Sequence, residues 1–290
     1  MKKYLYLYLA LFAGISTAFG QKTESSDSKT DSTEVSKTSL SLATIYASDA
    51  SYYGQVTNER LPYVLANASL NFPSGFFLSA GAYKLINIGS GISGVDLTAG
   101  YDFNITKNFT SSLSFSRSFF PDSSLFLQST NLNMASGSVN YDWQWLNTGI
   151  NADYAIGDQS ALFMTFSASK LIDLGSISSK DYISLEPAIQ VVGGTQRITT
   201  TEEIPQNNGG SGGLNKIINF PRRHNRSPEY REIESSSFDL LSYNLKLPLA
   251  YNRANYAVEA TYQGSILSNK IDGASQKPRS FLYLGFYYIF

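Results

Sequence analysis

The 290-residue chain has no cysteine and a single histidine, His224. The first absence excludes disulfides, thiol catalysis and a cysteine-linked lipid anchor, and the second leaves too few imidazoles for a histidine metal site. Charge is scarce as well: Asp, Glu, Lys and Arg make up 16% of the residues, against about 25% in an average soluble domain. The net charge of -1 creates no positive field to recruit nucleic acid. Beyond the N-terminus no stretch holds the run of apolar residues that a membrane-spanning helix needs. Aromatic residues are plentiful, with 20 Tyr and 18 Phe, which argues against disorder.

Met1, Lys2 and Lys3 are followed by an apolar stretch from Tyr4 to Ile15 and by the small residues Ala18 and Gly20. This order of basic, apolar and small residues reads as an export signal covering 1–20. Residues 21–39 are almost all Ser, Thr, Asp, Glu and Lys, and are expected to form a flexible tether.

From Leu40 to Phe290 the hydrophobic pattern has a period of two. Val95, Leu97, Ala99, Tyr101, Phe103 and Ile105 alternate with Asp96, Thr98, Gly100, Asp102 and Asn104. Leu241, Tyr243, Leu245, Leu247, Leu249 and Tyr251 repeat the pattern, as do Tyr256, Val258, Ala260 and Tyr262. These are strands with one apolar and one polar face. They fit a soluble sandwich, whose apolar faces meet in a core, or a membrane barrel, whose apolar faces meet lipid.

Three features favour the barrel. The polar faces carry uncharged Ser, Thr, Asn and Gly rather than Lys and Glu. Aromatic doublets fall near strand ends (Tyr52 and Tyr53, Phe76 and Phe77, Phe119 and Phe120, Tyr287 and Tyr288), as interfacial girdles require. Finally, Leu282, Leu284, Phe286, Tyr288 and Phe290 form an unblunted apolar strand, an edge that barrel closure removes. The expected fold is all-β, a single antiparallel up-and-down barrel spanning 40–290.

At about 9–11 residues per membrane strand plus connections, that length accommodates about 12 strands. They are placed near 40–53, 62–72, 76–87, 94–105, 109–120, 134–145, 148–157, 160–172, 182–198, 237–250, 256–267 and 280–290. An even count puts both mature termini in the periplasm, on the side of tight turns such as Pro73-Ser74-Gly75. The apolar phase switches between Trp145 and Leu146. A turn there accounts for the switch, and so does a bulge in one long strand with a hairpin at Gly193-Gly194.

The last strand resembles the C-terminal signature of Gram-negative outer-membrane β-barrel proteins, which end in an aromatic residue preceded by alternating apolar positions. The segment Phe238–Leu249 is similar to porin-like barrels of the Bacteroidota. Ser48-Asp49 through Tyr53-Gly54 is similar to the first strand of TorF-type porins, without the Arg those proteins place before the Gly. The resemblance implies an outer-membrane location, contact with outer-membrane lipid and lipopolysaccharide, and recognition by the barrel-assembly machinery through the strand ending in Phe290.

Asp96, Asp102, Asp142, Asp153, Glu186, Lys246 and Glu259 are expected to line the lumen. Their excess of carboxylates favours cations if the interior is open; in a filled interior the same groups pair with one another or with loop residues. The longest insertion, 199–236, reads as an extracellular loop carrying Arg222, Arg223, Arg226 and Arg231 beside His224. These arginines suit lipopolysaccharide phosphates, another envelope protein or the acidic lumen wall. His224 lies in this loop rather than on a strand, which gives a catalytic site no rigid support. No enzyme activity, cofactor, metal or nucleic-acid partner is expected. The expected function is a small channel for low-molecular-weight solutes, or a non-conducting accessory barrel that serves an envelope complex as subunit or scaffold.

Overall fold

The computed structural model describes residues 37–51, 53, 60–86, 89, 91–121, 133–157, 160–203, 230–268 and 277–290. The expected export signal, residues 21–36 of the tether, Arg222, Arg223, His224 and Arg226 lie outside these residues.

Fourteen hydrogen-bonded segments follow in order: β1 (Ser39–Ala47), β2 (Tyr63–Asn71), β3 (Phe76–Leu85), β4 (Gly94–Asn104), β5 (Phe109–Phe119), β6 (Asn133–Asp142), β7 (Asn147–Ile156), β8 (Ala161–Ser169), β9 (Ile172–Gly175), β10 (Asp181–Leu185), β11 (Ala188–Glu203), β12 (Tyr230–Arg253), β13 (Tyr256–Leu267) and β14 (Arg279–Ile289). Segments β8 and β9 form one strand of the barrel, interrupted at Lys170 and Leu171. Segments β10 and β11 form another, interrupted at Glu186 and Pro187, where proline lacks the N–H that an unbroken ladder needs. Across the gaps the Lys170 N–H donates to Pro187 O (3.1 Å) and the Glu186 N–H to Pro248 O (3.0 Å). The segments therefore make twelve antiparallel barrel strands.

The ring is closed. β14 pairs with β1 from Ser41 opposite Ile289 to Ala47 opposite Tyr283, and β11 pairs with both β8 and β12. Closure requires the strands to tilt, typically by about 35–45°. One end of the barrel carries tight turns. At the first, Gly75 has φ +93, and a Cβ there would collide with the Asp102 carbonyl, so glycine is required. At the third, Gln144 adopts φ 72 and its N–H donates to Asp142 Oδ1 (2.7 Å), while the Trp143 N–H donates to Leu146 O (2.9 Å). The phase switch after Trp145 is thus a turn. Gly193 and Gly194 lie within β11, opposite a bulge in β12 rather than in a hairpin.

Period-two alternation places the greasy face outside. Leu97, Leu113, Phe166 and Leu284 are about half exposed, whereas Leu65, Leu85 and Phe281 on the inner face are almost fully buried. A water-soluble protein does not present a continuous apolar outer wall of this extent. Aromatic contacts ring the tight-turn end, among them Tyr101 with Phe103, Tyr141 with Trp143, and Tyr288 with Phe290.

Several expectations need correction. β1 ends at Ala47, with Ser48 still bonded to Leu282 of β14, instead of extending as a strand to 53. The expected loop at 199–236 is paired at its base: β11 and β12 run on together to Glu203 opposite Tyr230, with Arg231 opposite Glu202. Beyond the last pairings with β8 and β13 these two strands pair, among the described residues, with each other alone, as a two-stranded ribbon. Leu241, expected on the outer face, is buried inside, because the bulge leaves it between the partners of Val192 and Gly193. Tyr287, expected in a girdle, is buried inside as well, and Phe120 packs against the same internal cluster.

The two faces predict different tolerances. Leu284→Lys on the outer wall is expected to cost about 2–4 kcal/mol, whereas Ser69→Lys on the inner wall costs markedly less. Urea unfolding of the two variants from phospholipid vesicles checks the difference.

Candidate functional site

The interior is divided by solvent access. On β1 the inner face passes from half-buried Ser41 and Ala43 to buried Ile45 and Ala47. On β2 it passes from half-buried Asn71, Ser69 and Asn67 to buried Leu65 and Tyr63. Across the ring, β8 passes from half-buried Ser169 and Ser167 to buried Thr165, Phe163 and Ala161. The half nearer the tight turns is an accessible polar cup, and the other half is packed.

The cup is lined by hydroxyls and amides, some of which satisfy one another between strands. Asn67 Nδ2 donates to Ser79 Oγ (2.8 Å) and Asn252 Nδ2 to Ser184 Oγ (3.0 Å). Three charged groups gather on one side. Ser169 Oγ donates to Glu186 Oε1 (2.8 Å) and Thr261 Oγ1 to Glu259 Oε1 (2.7 Å), and Lys246 and Glu186 both lie within electrostatic reach of Glu259.

The other candidate residues are placed apart from that group. Asp96 is buried on β4 with its carboxylate across Gly81 of β3. Asp153 is buried on β7, Asp102 is exposed near the end of β4, and Asp142 fastens the β6–β7 turn. Arg231 lies on the ribbon. Among the described residues no group of three His, Asp or Glu is placed to hold a metal ion.

The packed half consists of two clusters. Ile45, Tyr63, Leu65, Tyr83 and Leu85 of β1–β3 bury against Ala50 and Leu61, the ends of the β1–β2 connection. The base of that connection is tied by the Leu61 N–H, which donates to Asp49 Oδ1 (2.8 Å). Ala155, Ala161, Phe163, Val192 and Leu241 of β7, β8, β11 and β12 form the second cluster. The aromatic ring at its centre comes from elsewhere: Tyr53, in the β1–β2 connection.

β1 and β7 are half-way around the ring from each other, so the chain carrying Tyr53 crosses the lumen. The Tyr53 ring stacks on Phe163, centroids 4.4 Å apart and 15° between planes. Its hydroxyl donates to Asp153 Oδ2 (2.6 Å), an atom that also accepts from Asn151 Nδ2 (2.6 Å). Ser242 Oγ donates to the Tyr53 carbonyl (2.6 Å). The wall must be flat there: a Cβ on Gly194 would sit 2.5 Å from the Phe163 ring and 2.7 Å from Leu241.

A closed ring with an apolar outer wall, an aromatic girdle and a polar interior has one stable environment. The chain is a membrane-spanning β-barrel. Searches for family models and for curated proteins match nothing. Among solved structures the barrel is similar to a KdgM porin (10% identity, TM-score 0.45, covering 86% of this chain and 98% of the other). It is also similar to an outer membrane channel from Pseudomonas putida (11%, 0.47, 90% and 100%) and to LpxR from Salmonella typhimurium (10%, 0.43, 87% and 100%). Over such low identities and scores, the barrel's own geometry carries the assignment.

The lumen crossing was not legible from sequence, where Tyr53 reads as a girdle residue. The available signal is the polar break Ser48-Asp49 after an otherwise regular strand. Leaving one partner of a buried hydrogen bond unmatched costs about 1–3 kcal/mol. Tyr53→Phe is therefore expected to speed tryptic cleavage after exposed Arg60 by roughly ten- to a hundredfold, followed on the intact barrel in vesicles by gel mobility and mass spectrometry.

Proposed function

We propose that this barrel is a channel for small polar solutes, narrowed where Tyr53 crosses it. The observation that carries the reading is the half-buried lining of hydroxyls and amides in the half nearer the tight turns, beyond which Tyr53 reaches across the lumen. In the proposed orientation the tight turns, the cup and both mature termini face the periplasm, and the connection bearing Tyr53 faces outward. Glu186 and Glu259 outweigh Lys246 at the charged side, which favours cations over anions.

The packed half also supports a second reading, a non-conducting accessory barrel. The β11–β12 ribbon continues beyond the pairings of the ring, and we propose it as an arm for another envelope protein. In either reading we propose that Arg231 on the ribbon, with Arg222, Arg223 and Arg226 beyond the described residues, meets lipopolysaccharide phosphates or that partner. The strand ending in Phe290 is proposed as the element read by the barrel-assembly machinery, and neither reading requires catalysis.

Planar-bilayer recording separates the two. The channel reading expects small unitary currents that grow in Tyr53→Ala and lose cation preference in the double variant Glu186→Gln, Glu259→Gln. Silence in both the unchanged chain and Tyr53→Ala, with co-purification of a stoichiometric partner, overturns it in favour of the accessory barrel.

A further inference from the structure

The inner wall opposite β1 is built to hold a hydroxylated ring, and Tyr53 occupies it. Stacking on Phe163, an acceptor at Asp153 Oδ2 and an apolar surround of Ala155, Val192 and Leu241 meet every face of one phenol group. None of these wall residues belongs to the connection that delivers the ring. The phenol is held by the barrel itself, on four strands whose positions are fixed by their ladders. A preorganised slot of this kind binds a small ligand through the same contacts, provided the internal occupant leaves.

We propose that this wall is a binding site for an uncharged hydroxylated aromatic solute, with Tyr53 as its internal stand-in. An arriving ring competes with Tyr53 for Phe163 and Asp153. The chemical class follows from the wall. Asp153 Oδ2 selects a ring that donates a hydrogen bond, and the apolar surround of Ala155, Val192 and Leu241 selects against a charged one. Gly194 lets the Phe163 ring lie close against the wall, and that ring's face selects a planar ring over a puckered one. The coupling to conductance rests on the channel reading above; the binding site itself does not.

The test uses 4-methylphenol, the tyrosine side chain as a free molecule, with the full barrel in lipid nanodiscs. Titration calorimetry is expected to show binding to Tyr53→Ala that is roughly tenfold or more tighter than to the unchanged chain, because the competing ring is gone. Adding Asp153→Asn to Tyr53→Ala is expected to weaken that binding by roughly tenfold while keeping the shape of the slot. Toluene, which lacks the hydroxyl, is expected to bind Tyr53→Ala without any dependence on Asp153. Equal affinity of 4-methylphenol for the unchanged chain and Tyr53→Ala, or affinity indifferent to Asp153→Asn, overturns the site. If Tyr53→Ala conducts, 4-methylphenol is expected to reduce its current. Calorimetric binding without any current in either form keeps the site and removes only its link to transport. Retention of the folded, heat-modifiable band on gels establishes that each variant is a barrel before it is measured.

Discussion

Everything in this molecule depends on the meeting of β1 with β14. In hydrocarbon no water is available to satisfy a backbone N–H or C=O, and each unmet group costs several kcal/mol. A sheet left open would carry two such edges. The run of pairs from Ser41–Ile289 to Ala47–Tyr283 removes both, and the bond from the Phe290 N–H to Leu40 O extends the seam to the last residue. The seam joins the two ends of the barrel sequence, so these two edges are satisfied only when the ring is complete.

Once the ring is closed, its two faces answer to different surroundings. Outside, lipid accepts any apolar side chain and asks little of its shape. Inside, a half-buried polar half gives way to one in which Leu65, Leu85, Phe163 and Phe281 are almost fully buried. The β1–β2 connection adds to this packing from within: Ala50 and Leu61 pack on one wall and Tyr53 on the opposite one.

The fold was largely legible in the sequence because period-two alternation is strong when one face must meet lipid. Leu97 and its neighbours announce β4, and Leu284 and its neighbours announce β14. What alternation alone could not supply was the fate of paired aromatics. Adjacent residues on a strand point to opposite faces, so a doublet such as Tyr287-Tyr288 sends one ring outward and one inward. Reading both as girdle residues overlooked the packed half of the lumen. Leu241 escaped for a related reason: a bulge reverses the phase, and nothing in the local composition marks where it falls. Tyr53 was hidden because its partners Asp153, Phe163 and Ser242 lie 100 or more positions away in sequence.

The ribbon formed by β11 and β12 has a consequence for which parts of the chain can change. Among the described residues its two strands pair beyond the ring with each other alone, so changes in their length leave the pairings of the ring untouched. Residues can be gained or lost there in opposed pairs while the cylinder stays constant. An inserted peptide at that place would leave the seam between β1 and β14 closed.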